Sequence, residues 1–175
     1  ERAGIRTVMI TGDHPLTAAA VARRIGILRD GTELICGSEL EKMSDGELEE
    51  KIDRYSVFAR ITPADKTRIV KAWQARGETV AITGDGIEDA DALTAADVGC
   101  AIGKRGTDVA RGCADIIIAN DSFRSVVSAV KESRGLYENI RKSVAYLFSS
   151  NFGELLMFLI AIMFSGAGIA PLTAV

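Results

Sequence analysis

Two stretches of this 175-residue chain repeat one another: residues 7–13 read TVMITGD and residues 79–85 read TVAITGD. In each, a β-branched, apolar run (residues 8–10 and 79–82) predicts a short buried parallel strand. Thr-Gly-Asp then breaks the strand, and helix-forming sequence begins shortly after, at Pro15 or at Ala90. In a parallel sheet both turns lie on the carboxyl edge, where open α/β sheets bind their ligands. Hydroxyls, amides and carboxylates of the two turns can then converge on one ligand. Asp85 closes the second repeat on the turn, and Asp89 follows in the first turn of the helix beyond it. Carboxylates this close repel each other unless a cation sits beside them, and hard oxygen ligands at a phosphate site point to Mg²⁺. The plainer reading of the same spacing is a strand–turn–helix junction with Asp85 as the helix cap.

The rest of the chain alternates strand and helix patterns. Strands are expected at 8–10, 56–59, 79–82, 98–102 and 115–119, and helices at 15–25, 64–74, 90–96 and 107–112. That alternation predicts an α/β fold with a Rossmann-like parallel sheet. Residues 28–54 are polar and charged, and read as a surface excursion with one short helix capped by Ser44. Lys66 falls in the first turn of helix 64–74, where a cation opposes the helix dipole unless an anion binds there. As a single residue it reads equally as a solvated surface lysine. Asp65-Lys66-Thr67 mimics a phosphorylatable aspartate motif, but Asp65 lies in a helix start and such a nucleophile belongs on a strand end. His14, the single histidine, is assigned no chemistry.

A net charge of −3 offers no basic field for nucleic acid. Cys36, Cys100 and Cys113 are widely spaced and read as small apolar fillers, without a disulfide or zinc pattern. From about residue 125 the pattern is one long helix. Its first part, 125–143, is amphipathic and basic. Residues 144–164, VAYLFSSNFGELLMFLIAIMF, have the length and composition of a bilayer span. Lys131, Arg134, Arg141 and Lys142 precede the span and place that side in the cytoplasm. Glu154 is the only formal charge within it, with Asn151 three residues earlier on the same helical face. An intramembrane carboxylate marks an ion or proton path by default. The alternative is a core helix of a soluble protein with Glu154 exposed. The first residues read as a helix end with Gly4 as its cap, and the last as the opening of another apolar segment, so the chain is expected to be a piece of something longer.

These residues resemble the cation-transporting P-type ATPases. ITGDHPLTAAAVARRIGI is similar to their Thr-Gly-Asp segment, and VFARITPADKTRIV to the segment with their phosphate-contacting lysine. TGDGIEDADALTAADVGCAIG is similar to their hinge and magnesium motif, and GTDVARGCADIIIANDSFRSVVSAV to the segment C-terminal to that motif. RGLYENIRKSVAYLFSSNFGELL resembles the stalk and fifth membrane helix of the calcium, sodium/potassium and proton pump branch. The resemblance implies a haloacid-dehalogenase-like phosphorylation domain at 1–124, a stalk helix at 125–143 and a membrane helix at 144–164. A loop and the start of the next membrane helix occupy 165–175. It implies a multi-pass membrane protein with the α/β domain in the cytoplasm, using Mg²⁺ and ATP. Its partners are a transported cation (calcium first), the lipid bilayer and the remaining pump domains, and no nucleic acid.

Residue by residue, the resemblance implies that Asp85 holds Mg²⁺ and that Asp89 supports that site. Thr11 and Gly12 bind the transferred phosphoryl group, Asp13 lies close to nucleotide and metal, and Lys66 neutralises the phosphoryl charge. Ser150, Asn151 and Glu154 match the cation-liganding positions. Two departures stand out. The phosphorylated aspartate of Asp-Lys-Thr-Gly-Thr is absent, so the chain alone is expected to be inactive. In GIEDADAL, Glu88 and Asp91 stand where the family usually has Asn and Pro. Two other functions compete: a soluble haloacid-dehalogenase-like phosphohydrolase, and a non-catalytic membrane protein in which Glu88 and Asp91 have weakened the phosphate site.

Overall fold

The computed structural model describes residues 4–120 and 122–165. It divides into two compact units, Glu1–Ser122 and Phe123–Val175. The helix end expected at residues 1–3, residue Asp121 and the segment from residue 166 onward lie outside the described residues.

The first unit is α/β with every paired strand parallel. The strands β1 (Met9–Thr11), β2 (Glu33–Cys36) and β3 (Tyr55–Ala59) form one sheet in the order β1-β3-β2. A second sheet has the order β4-β5-β6, from β4 (Ala81–Gly84), β5 (Val98–Ile102) and β6 (Ile116–Ile118). Between them in sequence run α1 (Pro15–Arg24), α2 (Gly37–Leu40), α3 (Asp45–Lys51), α4 (Pro63–Ala75), α5 (Ala90–Ala95) and α6 (Asp108–Cys113). β3 is central in its sheet and buried at every position, as expected for a strand covered on both faces. Its Phe58 anchors a cluster with Ile35, Leu40, Leu48, Ile52, Ile69 and Trp73.

That cluster corrects the reading of residues 28–54 as a surface excursion. The segment contributes β2 to the sheet, and its Ile35, Leu40, Leu48 and Ile52 are almost wholly removed from water. A few apolar residues spaced through charged sequence are enough, because the acidic and basic side chains between them occupy the outer faces of α2 and α3. The helix start was legible: Ser44 accepts the Glu47 N–H, and the Glu47 carboxylate accepts from the Ser44 N–H at 3.0 Å.

The expected single sheet is two sheets in the described residues. β1 pairs with β3 and β4 with β5, which leaves one edge of β1 and one edge of β4 unpaired. The expectation of a buried strand at 79–82 shifts accordingly: β4 is Ala81–Gly84, and Ala81 and Thr83 are exposed. α4 lies where both halves meet it. Its Ile69 and Trp73 belong to a cluster against which Ile10, within β1, and Val80, just ahead of β4, are both packed.

The described residues of the second unit form one helix, α7 (Phe123–Ser165), continuous for 43 residues through Gly135 and Gly153, about 65 Å of helix. It is long and apolar enough to cross a membrane by length and composition. Phe148, Phe152, Leu155, Phe158 and Ile162 are all exposed.

Leu48→Ala and Ile52→Ala are each expected to cost roughly 2–5 kcal/mol. Leu16→Ala, at a side chain 77% exposed on α1, should stay within about 0.5 kcal/mol. Urea denaturation of the detergent-solubilised chain measures all three, and similar costs for Leu48 and Leu16 would contradict the packing of α3 on α4.

Candidate functional site

The first Thr-Gly-Asp turn is shaped by its own side chains and by the end of β3. Thr11 Oγ1 accepts the Asp13 N–H at 3.1 Å. The N–H groups of Arg60 and Ile61 donate to the carbonyls of Asp13 and Thr11, each at 3.1 Å. Arg60 makes this possible by adopting φ +52°, and it is the only non-glycine residue with positive φ among the described residues. A side chain in that region costs on the order of 1 kcal/mol and persists only where its surroundings enforce it. Part of the enforcement is Gly37, where a Cβ would run into the Arg60 carbonyl. Gly12 and Asp13 are exposed, and no atom lies within 4 Å of where a Gly12 Cβ would stand. His14 then caps α1, its Nδ1 accepting the Leu16 N–H at 3.3 Å.

The second turn is organised by Asp89. Its Oδ2 accepts the N–H groups of Asp85 at 3.0 Å and Gly86 at 3.2 Å. Its Oδ1 accepts from Lys66 Nζ at 2.5 Å, with both side chains largely buried. Gly84 leaves room for this, since a Cβ there would come within 2.5 Å of Asp89 Cβ. Burial pushes the Asp89 carboxyl up, but the Lys66 ammonium and the two N–H donors outweigh it and hold the group below its ordinary value of 3.8. The cap of this junction is therefore Asp89 reaching back, and the Asp85 cap reading is corrected. The Asp85 carboxylate stays exposed, while its carbonyl accepts the Thr107 N–H at 2.9 Å.

Lys66 is thus neither a solvated lysine nor a bare cation at a helix start. Thr62 caps α4 and Asp65 returns the bond, its Oδ2 accepting from Thr62 Oγ1 at 2.6 Å. Asp65 is buried and also paired with Arg68, consistent with a role in the helix start. Since Arg60 and Ile61 clamp the first turn and α4 follows them directly, one segment, residues 60–66, reaches both turns. Arg60 and Thr107 carry no signal in the sequence that singled them out. The β5–α6 loop ahead of Thr107 is held by Arg111, whose Nη1 donates to the Gly103 carbonyl at 2.7 Å and the Gly106 carbonyl at 3.1 Å.

The donor set suits Mg²⁺. Among the described residues no three His, Cys, Asp or Glu side chains form a group that could hold a metal. Mg²⁺ is commonly held by one or two carboxylates plus substrate phosphates, and Asp85 presents one free carboxylate on a fixed backbone. Asn151 and Glu154 lie within α7 three residues apart, both exposed.

Residues 1–97 match the haloacid dehalogenase-like hydrolase family. Calcium-transporting ATPase 1 of Bacillus cereus is 52% identical over 167 residues, 95% of this chain and 19% of that protein. A calcium-transporting ATPase of Listeria monocytogenes is 47% identical over 174 residues, 99% of this chain and 19% of that protein. The chain therefore spans about a fifth of the length of the curated relatives it matches. Among solved structures, a zinc-transporting PIB-type ATPase in its E2.Pi state aligns with a TM-score of 0.66 and 27% identity, covering 94% of this chain and 22% of that one. The catalytic domain of a CPx-ATPase, CopB-B, shares the fold, with a TM-score of 0.56 and 23% identity over 74% of this chain and 40% of that one.

Removing either partner of the Lys66–Asp89 pair has unequal consequences. Asp89→Ala strands a largely buried ammonium and frees two backbone donors, a loss of about 3 kcal/mol. Lys66→Met leaves Asp89 its two N–H partners, a loss of about 1–2 kcal/mol. Because the folded carboxyl of Asp89 titrates below its ordinary value, its stabilisation is complete above that value and disappears as pH falls through the folded one. Denaturation midpoints of the solubilised chain from neutral pH down into the acid range should show this loss in the wild type and not in Asp89→Asn. An equal acid loss in Asp89→Asn would assign it to other groups.

Proposed function

The chain belongs to the haloacid dehalogenase-like hydrolase family, and from that premise we propose that it is part of an ATP-driven cation pump working through an aspartyl-phosphate. In this reading it supplies the second part of the phosphorylation domain, the stalk and the fifth membrane helix. One observation carries the proposal: two Thr-Gly-Asp turns, both contacted by residues 60–66, and a 43-residue helix with an apolar span occur in one chain. The identity to calcium- and cation-transporting ATPases runs through both parts, at 52% over 95% of the chain in one case. A soluble phosphohydrolase has no use for the exposed apolar side chains of α7.

Each turn has a task in phosphoryl transfer, which depends mainly on positioning and electrostatics. The Thr11 hydroxyl accepts the Asp13 N–H, so its proton remains free to donate to a phosphoryl oxygen. The exposed amide of Gly12 is a second donor. Lys66, oriented by Asp89, brings positive charge to the same edge, and Asp85 would hold Mg²⁺, which screens the phosphate charge. Asp13, exposed on the first turn, would lie close to the nucleotide and metal. The unpaired edges of β1 and β4 support the same reading. A parallel strand from elsewhere in the full protein, seated against both edges, would join the two sheets and carry an aspartate to the edge where both Thr-Gly-Asp turns end. Asn151 and Glu154 would ligand the transported cation, with calcium the first choice on the names of the relatives. The protein would be multi-pass, with the α/β unit cytoplasmic.

The chain by itself, lacking a strand-end nucleophile, should form no hydroxylamine-sensitive phosphate from labelled ATP and Mg²⁺ after acid quench, and stable label on it would overturn the assignment. In the full-length protein, Asp85→Asn should lower phosphoenzyme formation by roughly a hundredfold or more. Glu154→Gln should raise the cation concentration needed for phosphorylation from ATP by about tenfold or more while leaving phosphorylation from inorganic phosphate intact. Unchanged cation affinity would remove Glu154 from the transport site.

A further inference from the structure

Glu88 is the acidic residue of the second turn that neither caps the helix nor stands in the place of a metal ligand. It is the middle residue of the 3₁₀ turn Ile87–Asp89, and it is exposed. Its carboxylate is folded back over the turn: the three atoms nearest a Cβ built on Gly86 are Oε1, Oε2 and Cδ of Glu88. The carboxylate therefore lies against Gly86, where a side chain would otherwise stand. No hydrogen bond or ion pair engages it among the described residues. The cation closest to this turn in bonding terms, Lys66, is committed to Asp89 at 2.5 Å. Asp85 adds a second exposed carboxylate on the same turn.

A phosphoryl group drawn to the second turn finds the Asp85 and Gly86 N–H groups already taken by Asp89 and meets two carboxylates with no ion-pair partner among the described residues, and an ionised carboxylate accepts hydrogen bonds but donates none. Like charges a few ångströms apart near a protein surface oppose binding strongly. Glu88 must then swing off Gly86, or a divalent cation must neutralise it together with Asp85. We propose that Glu88 is a specificity-determining residue of the phosphoryl site: it weakens binding of the bare anion and makes that binding depend steeply on a divalent cation. This rests on the proposed pump function, because it takes the ligand at this turn to be a phosphoryl group.

The test uses the purified full-length protein and inorganic phosphate, with half-saturation for phosphoenzyme formation measured over a range of Mg²⁺ concentrations. Glu88→Asn and Glu88→Gln should lower the half-saturating phosphate concentration tenfold or more and flatten its dependence on Mg²⁺. Asn should do more than Gln, because the longer arm misplaces the amide donor. Glu88→Asp keeps the charge and should keep the steep dependence on Mg²⁺. Phosphate affinity that is unchanged or weaker in both amide variants overturns the proposal and makes Glu88 a constructive part of the site. If the wild type takes no label at all, the pump reading falls. Equilibrium dialysis of phosphate against the same proteins then decides on Glu88 alone: tighter binding in the amide variants upholds its role, and equal binding overturns it.

Discussion

The ion pair between Lys66 and Asp89 joins the two halves of the α/β unit at the point where chemistry is expected. Asp89 spends one oxygen on Lys66 and the other on the N–H groups of Asp85 and Gly86. A single carboxylate thus sets the backbone of the second Thr-Gly-Asp turn and the position of the ammonium from α4. Its own charge is held by these contacts against the cost of burial. With Asp89 occupied in this way, Asp85 is left outward-facing and available, so the two acidic residues have different roles because their surroundings differ.

The first turn is governed by backbone. Arg60 in the left-handed region turns its N–H toward the Asp13 carbonyl, and Ile61 continues with the Thr11 carbonyl. Gly37 lets β2 and α2 approach closely enough to hold that conformation. Segment 28–54, whose composition suggests a surface insertion, therefore has a structural part in the site: it covers β3 with Ile35, Leu40, Leu48 and Ile52 and backs the strained residue with Gly37.

The unpaired edges of β1 and β4, among the outer strands of the two sheets, and the exposed apolar surface of α7 are alike in one respect. Ladder edges and apolar helix faces are stabilised by partners, and the chain corresponds to 19% of a relative such as the Bacillus cereus protein. An unpaired strand edge can accept another strand, and an exposed apolar helix face can accept an apolar partner.

Local patterns in the sequence determined most elements. Periodicity and turn chemistry placed β5 at its observed bounds, put β1, β3, α1, α4, α5 and α6 within a residue or two, and marked Ser44 as a cap. The two Thr-Gly-Asp turns and the long helix were legible because each rests on residues adjacent in the chain or one helical turn apart, whereas Lys66 by itself read equally as a surface lysine. Tertiary structure alone decided that β2 belongs to the sheet, that Asp89 is the capping residue in place of Asp85, that Lys66 is its partner, and that Arg60 is the strained clamp. Each of these depends on which residues distant in the chain come within hydrogen-bonding or packing distance, such as Lys66 and Asp89, which are 23 positions apart. Propensity and spacing are local, whereas burial and pairing are settled only when the halves of the sheet close on α4.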